Sequence, residues 1–137
     1  MNSKKVVRVR EVMHNSYLEV DGLTRVTDAL VSMRDKNIEV VIVKKRNPDD
    51  EYGILMLSDI AKKVLAKDRS PDRVNVYEIM SKPVLGVSPK MDVRYCARLF
   101  EKFGLTAAPV LENELVIGLV GYKELVYKGV LVESGDV

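Results

Sequence analysis

The sequence predicts a mixed α/β (α+β) fold made of two tandem β-α-β-β-α units, and three observations carry that expectation. VREVM at Val9–Met13 returns as VYEIM at Val76–Met80, 67 residues further on. The apolar positions that follow keep this offset and then shift to an offset of 65. The lost pair comes out of RNPDDEY, a charged stretch with a proline that reads as a hairpin loop, where a change of length costs least.

The alignment holds through both halves, which it divides into units at 8–70 and 74–131. Val12 and Met13 fall on Ile79 and Met80, and Val20 falls on Val87. Val26 meets Val93, Ala29 meets Cys96, Met33 meets Phe100, and Val43 meets Val110. Past the loop, Gly53 meets Gly118, Leu55 meets Val120, and Ile60 meets Leu125.

Each element follows from local pattern. Thr24–Asn37 has Val26, Ala29, Leu30 and Met33 at helical spacing, with Thr24 as the expected cap and Asn37 as the expected stop. EVVIVK at Glu39–Lys44 is a β-branched run suited to a strand, and Tyr52–Leu57 is a second. Ser58 is expected to cap a helix over Asp59–Lys67, with Asp59 favourable in its first turn. KDRSPDRVN at Lys67–Asn75 reads as a linker. The second unit then repeats the pattern: a helix at Asp92–Phe103 stopped by Gly104, a strand at Ala107–Leu111, and a turn at Glu112–Glu114. A strand at Leu115–Val120 and a helix at Tyr122–Tyr127, ended by Gly129, complete it. The closing VLVESGDV reads as a short docked strand with a frayed end.

One such unit leaves a face of its small sheet uncovered. Two can pack sheet to sheet about a pseudo-two-fold axis, with clefts between them where ligands lodge. A chain of 137 residues, 47% apolar, suffices for that core.

Composition narrows the function classes. A net charge of +2 argues against a general polyanion-binding surface, although Lys4–Arg10, Lys44–Arg46 and Lys62–Lys67 are locally basic; nucleic acid is therefore not an expected partner. A single Cys96 inside YCARLF forms no internal disulfide and reads as a small buried hydrophobe. MNSKKVVRVREV lacks the apolar run of a signal peptide and no apolar stretch reaches 18 residues, so a cytoplasmic location and no membrane partner are expected. One histidine and no motif-marked carboxylate pair argue against catalysis. His14 has no acidic residue or cysteine at ligand spacing and is expected at a surface or cleft edge rather than on a metal.

Taken together, the V-x-E-[VI]-M openings, the EVVIV and TAAPV strands, and GILMLSDI with GLVGYKEL resemble a tandem pair of CBS domains, also called a Bateman module. The resemblance covers about Val9–Leu65 and Val76–Gly129. It implies a regulatory, non-catalytic module with two clefts for adenine-containing ligands (AMP, ADP, ATP, S-adenosylmethionine or dinucleotides), commonly paired into a homodimer and acting on a partner protein. No cofactor is obligatory in that reading.

The family motif runs from a Gly through a Ser or Thr to an Asp that holds the ribose hydroxyls. Here Gly53 and Asp59 match it, while Met56 stands at the hydroxyl position and Ser58 lies next to the Asp. The second copy has Gly118, Gly121 at the hydroxyl position, and Glu124 for the Asp. Asp59 is open to two readings, ribose acceptor or plain helix-start residue. Gly121 either makes room for a bulky ligand or marks a site that has lost one. The resemblance also implies contacts from the segments after each opening Met, His14 and Asn15 in one unit and Lys82 in the other. Backbone groups of Ile38, Val40, Ala107 and Pro109 would meet the base. Lys62 or Lys63 could pair with phosphate, and Tyr122 either stacks on a base or covers the sheet edge. The alternative function is a ligand-free dimerising adaptor whose sites have decayed, which Met56 and Gly121 favour.

Overall fold

The computed structural model describes residues 5–131; Lys4 and most of VLVESGDV lie outside the described residues. The chain forms two compact units whose limits differ from those of the repeats. One is Ser16–Val84. The other joins the chain before Ser16 to the chain from Leu85 onward. Each unit therefore takes the opening segment of the other repeat.

In the first unit, β1 (Leu18–Val20) runs parallel to β2 (Val40–Val43), which pairs antiparallel with β3 (Gly53–Met56). The helix α2 (Val26–Lys36) crosses between β1 and β2. Its Asn37 takes a left-handed conformation at φ 53°, and the Ile38 N–H closes back on Met33 O at 2.8 Å. The expected cap Thr24 is not used: Arg25 holds that position, and its side chain does not cap the helix. The first helical N–H, on Val26, donates instead to Val74 O at 2.8 Å.

The second unit matches this. After α1 (Val9–Val12), Val87 makes a parallel bridge to Val110, and α4 (Val93–Phe103) leads into β4 (Ala107–Glu112) and β5 (Leu115–Gly121). Asn113 and Glu114 both have positive φ, as a two-residue hairpin of this twist requires. Gly104 ends α4 at φ 64°. The Val93 N–H donates to Val7 O at 2.9 Å, the counterpart of the Val26 bond.

The two cores agree position by position. The opening segments supply Val7, Val9 and Val12 to one core and Val74, Val76 and Ile79 to the other, all buried. At about 1.5–3 kcal/mol for each fully buried aliphatic side chain, these anchors are a large part of each small core. The end of the expected linker is thus structural: Pro71–Arg73 forms a 3₁₀ turn and Asp72 accepts the Thr27 hydroxyl at 2.6 Å.

The closing helices depart from expectation. The chain passes straight from β3 into α3 (Leu57–Ile60), so Met56, not Ser58, occupies the cap position. A π-helical turn follows at Ala61–Leu65. α5 (Tyr122–Glu124) is likewise followed by a π-helical stretch, Leu125–Val130, and Gly129 lies inside it against Val93 rather than ending it. No helix among the described residues is long and apolar enough to cross a membrane.

Candidate functional site

Two strand–helix junctions, one in each unit, hold the carboxylates singled out by the sequence. At the first, Asp59 Oδ2 accepts the Met56 N–H at 2.9 Å, while Oδ1 lies 3.6 Å from Lys63 Nζ. Lys63 is itself anchored, donating to Ile79 O at 2.9 Å. At the second, Glu124 Oε1 accepts the Gly121 N–H at 2.9 Å and stands 3.4 Å from His14 Nε2. Lys128 donates to Val12 O at 3.4 Å, matching Lys63. The extra methylene of Glu124 does not change its role at the helix start. Both carboxylates satisfy an otherwise orphaned N–H there.

The opening segments build the walls, but in exchanged order. His14 exchanges two backbone hydrogen bonds with Leu119, and Ser81 exchanges two with Ile54. His14 and Asn15 therefore belong to the unit of Glu124 and Gly121, and Lys82 to the unit of Asp59, Ser58, Met56 and Gly53. The acidic neighbour of His14 was invisible to local spacing, because Glu124 is 110 residues away. Lys128 was also missed; its alignment with Lys63 at the offset of 65 could have found it.

Met13 packs on Gly118 and Met80 on Gly53, where a β-carbon would collide with the thioether. That close approach explains why the openings end in Met and the strands begin or continue through Gly.

Several expected contacts are already committed. The Ile38 N–H closes α2 and Pro109 O accepts the Val87 N–H, while Val40 and Ala107 only stand opposite Met56 and Gly121, whose N–H groups go to Asp59 and Glu124. Lys82 Nζ lies 2.6 Å from Asp50 Oδ1. Arg46 first, and Lys82 second, hold the Asp50 carboxyl well below the usual carboxylate range. Tyr122 packs edge-on against Phe100 with centroids 5.3 Å apart, so it covers the core. No group of three or more metal-ligating side chains occurs among the described residues.

The family model described as the CBS domain matches residues 76–130. The hexameric CBS-CP12 protein from bloom-forming cyanobacteria is 34% identical and superposes with a TM-score of 0.88, over 93% of this chain and 74% of that one. The chain belongs to the CBS-domain family. An uncharacterized protein of Methanopyrus kandleri is 29% identical over 87% of this chain, which spans 61% of that relative's length. A CBS domain pair solved in complex with 5′-methylthioadenosine and S-adenosyl-L-methionine shares the fold at 20% identity, with a TM-score of 0.77 over 91% of this chain and 98% of that one. CBS pairs of this kind are regulatory modules and not catalysts.

Proposed function

We propose that this CBS pair senses an adenine nucleotide, AMP, ADP or ATP, held at the Asp59 junction. The observation that carries the reading is the state of Asp59. Only one of its oxygens is consumed by the Met56 N–H, and the other faces Lys63 beyond normal hydrogen-bond length. A ribose cis-diol can donate to that oxygen in a charge-assisted pair. Ser58 and Lys62, both exposed beside it, are available to phosphate. The adenosine-derived ligands of the CBS pair with the same fold support this choice of ligand class. Binding that favours one arrangement of the module would shift its population and pass the signal to a partner protein. Self-association as a homodimer is part of the proposal, and the hexameric state of the cyanobacterial relative supports assembly.

A thermal-shift series with AMP, ADP and ATP tests the reading. A concentration-dependent rise in melting temperature is expected, because a ligand that binds only the folded state stabilises it by mass action.

The second reading is a ligand-free dimerising adaptor. The use of both Asp59 and Glu124 as acceptors for helix-start N–H groups favours it. A dimer in light scattering combined with no nucleotide-dependent shift would select this reading.

A further inference from the structure

The unit containing Glu124 carries a depression of about 500 Å³ lined by Arg8, Arg10, Glu11, Pro89 and Lys90. We propose that it binds a phosphorylated small molecule through its phosphoryl group. This inference does not rest on the nucleotide reading. Arg10 is tied to Glu112 at the end of β4, whereas the Glu124 junction lies where Gly121 pairs with Ala107 at the start of that strand. Five residue steps of about 3.3 Å put roughly 16 Å between those ends.

Three cations line the depression against one carboxylate, and Glu11 already accepts the Arg8 N–H at 2.8 Å. Counting Glu112 as the partner of Arg10, an excess positive charge remains. Asp92, which bridges to Arg8, is paired with Arg94 at 3.1 Å.

The walls are fixed by backbone bonds. The Val9 N–H donates to Met91 O at 2.8 Å and the Arg10 N–H to Pro89 O at 2.9 Å. Arg8 Nη1 donates to Lys90 O at 2.9 Å, and Arg10 Nη2 donates to Glu112 Oε2 at 2.5 Å. Each guanidinium is thus pinned through one nitrogen and keeps the other donors of its fork. The Lys90 ammonium makes no hydrogen bond or ion pair with any described residue.

Two anchored forks and an unpaired point charge suit a tetrahedral dianion with three acceptor oxygens. The depression exceeds what a bare phosphate fills and lies within the range of small-molecule sites, about 300–1,000 Å³, so an organic remainder has room beside Pro89.

The test is a backbone-amide NMR titration of the full chain with inorganic phosphate, pyrophosphate and glucose 6-phosphate. Saturable shifts at residues 8–11 and 89–91 are expected with the latter two at millimolar ligand. Lys90→Gln keeps the backbone carbonyl that holds Arg8, and it should weaken binding about tenfold with the spectrum otherwise preserved. Asp59→Asn should leave the affinity unchanged, which separates this site from the nucleotide junction. Absence of saturable shifts, or equal affinity in Lys90→Gln, would overturn the proposal.

Discussion

The sulfur of Met13 lies against Gly118 so closely that a β-carbon on that glycine would stand 2.7 Å from Sδ. Met80 is seated on Gly53 in the same way. Gly118→Ala and Gly53→Ala should each destabilise the fold by about 1–3 kcal/mol, the usual cost of overpacking. Urea denaturation measures this. Combining Gly53→Ala with Met80→Ala should cost less than the sum of the two changes, because the collision disappears with the thioether. Simple additivity would mean that Met80 is not the obstacle.

Asp50 gives the acid limb of the stability profile. Its side chain is 7% exposed between Arg46 and Lys82, and those two partners depress its pKa. A depressed carboxylate stabilises the fold fully above its unfolded pKa of about 4 and loses that contribution as pH falls below it. The melting temperature should therefore drop more steeply below pH 4 in the native chain than in Asp50→Asn. Above that pH the variant should be the less stable one. Parallel acid limbs would contradict the assignment.

Cys96 is wholly buried, and burial pushes its thiol up to about 11. The nucleophile is the thiolate, so the native protein should resist aromatic disulfide reagents near pH 8. Full reaction should follow in denaturant. Stoichiometric modification of the native chain would place the thiol outside the core.

Much of this architecture is written in local pattern. The spacing of Val26, Ala29 and Met33 gave α2, with its Asn37 stop, and the YCARLF face gave α4 with Gly104 beyond it. Strands β2 to β5, the hairpin turn and the regulatory CBS identity were equally legible, whereas β1 at Leu18–Val20 was not placed. Exchange of the opening segments was not, since periodicity says which residues are buried but not which core receives them. Val74 lies inside the polar, proline-containing stretch that reads as linker, and its place in the core shows only in the fold. Ser58 has the right chemistry for a cap, but the direct run of β3 into α3 gives that place to Met56. The pairs His14–Glu124 and Lys82–Asp50 join residues distant in sequence, beyond any local rule.

Glu124 separates the structural and ligand roles of these carboxylates. Glu124→Ala removes the acceptor of the Gly121 N–H and should cost roughly 0.5–2 kcal/mol of stability, as capping losses do. If Asp59 is the nucleotide contact, Glu124→Ala should leave its affinity within about twofold, a difference below 0.5 kcal/mol. A larger loss of binding would move the nucleotide contact to the Glu124 junction.

The most direct measurement is calorimetric titration of AMP, ADP and ATP into the native chain and into Asp59→Ala, with Asp59→Asn preserving an acceptor for the Met56 N–H. Saturable heat for the native protein is predicted, weakened at least tenfold in both variants, since a charged hydrogen bond contributes about 1.5–3 kcal/mol. No saturable heat at millimolar nucleotide, or undiminished affinity without the Asp59 carboxylate, would contradict the account.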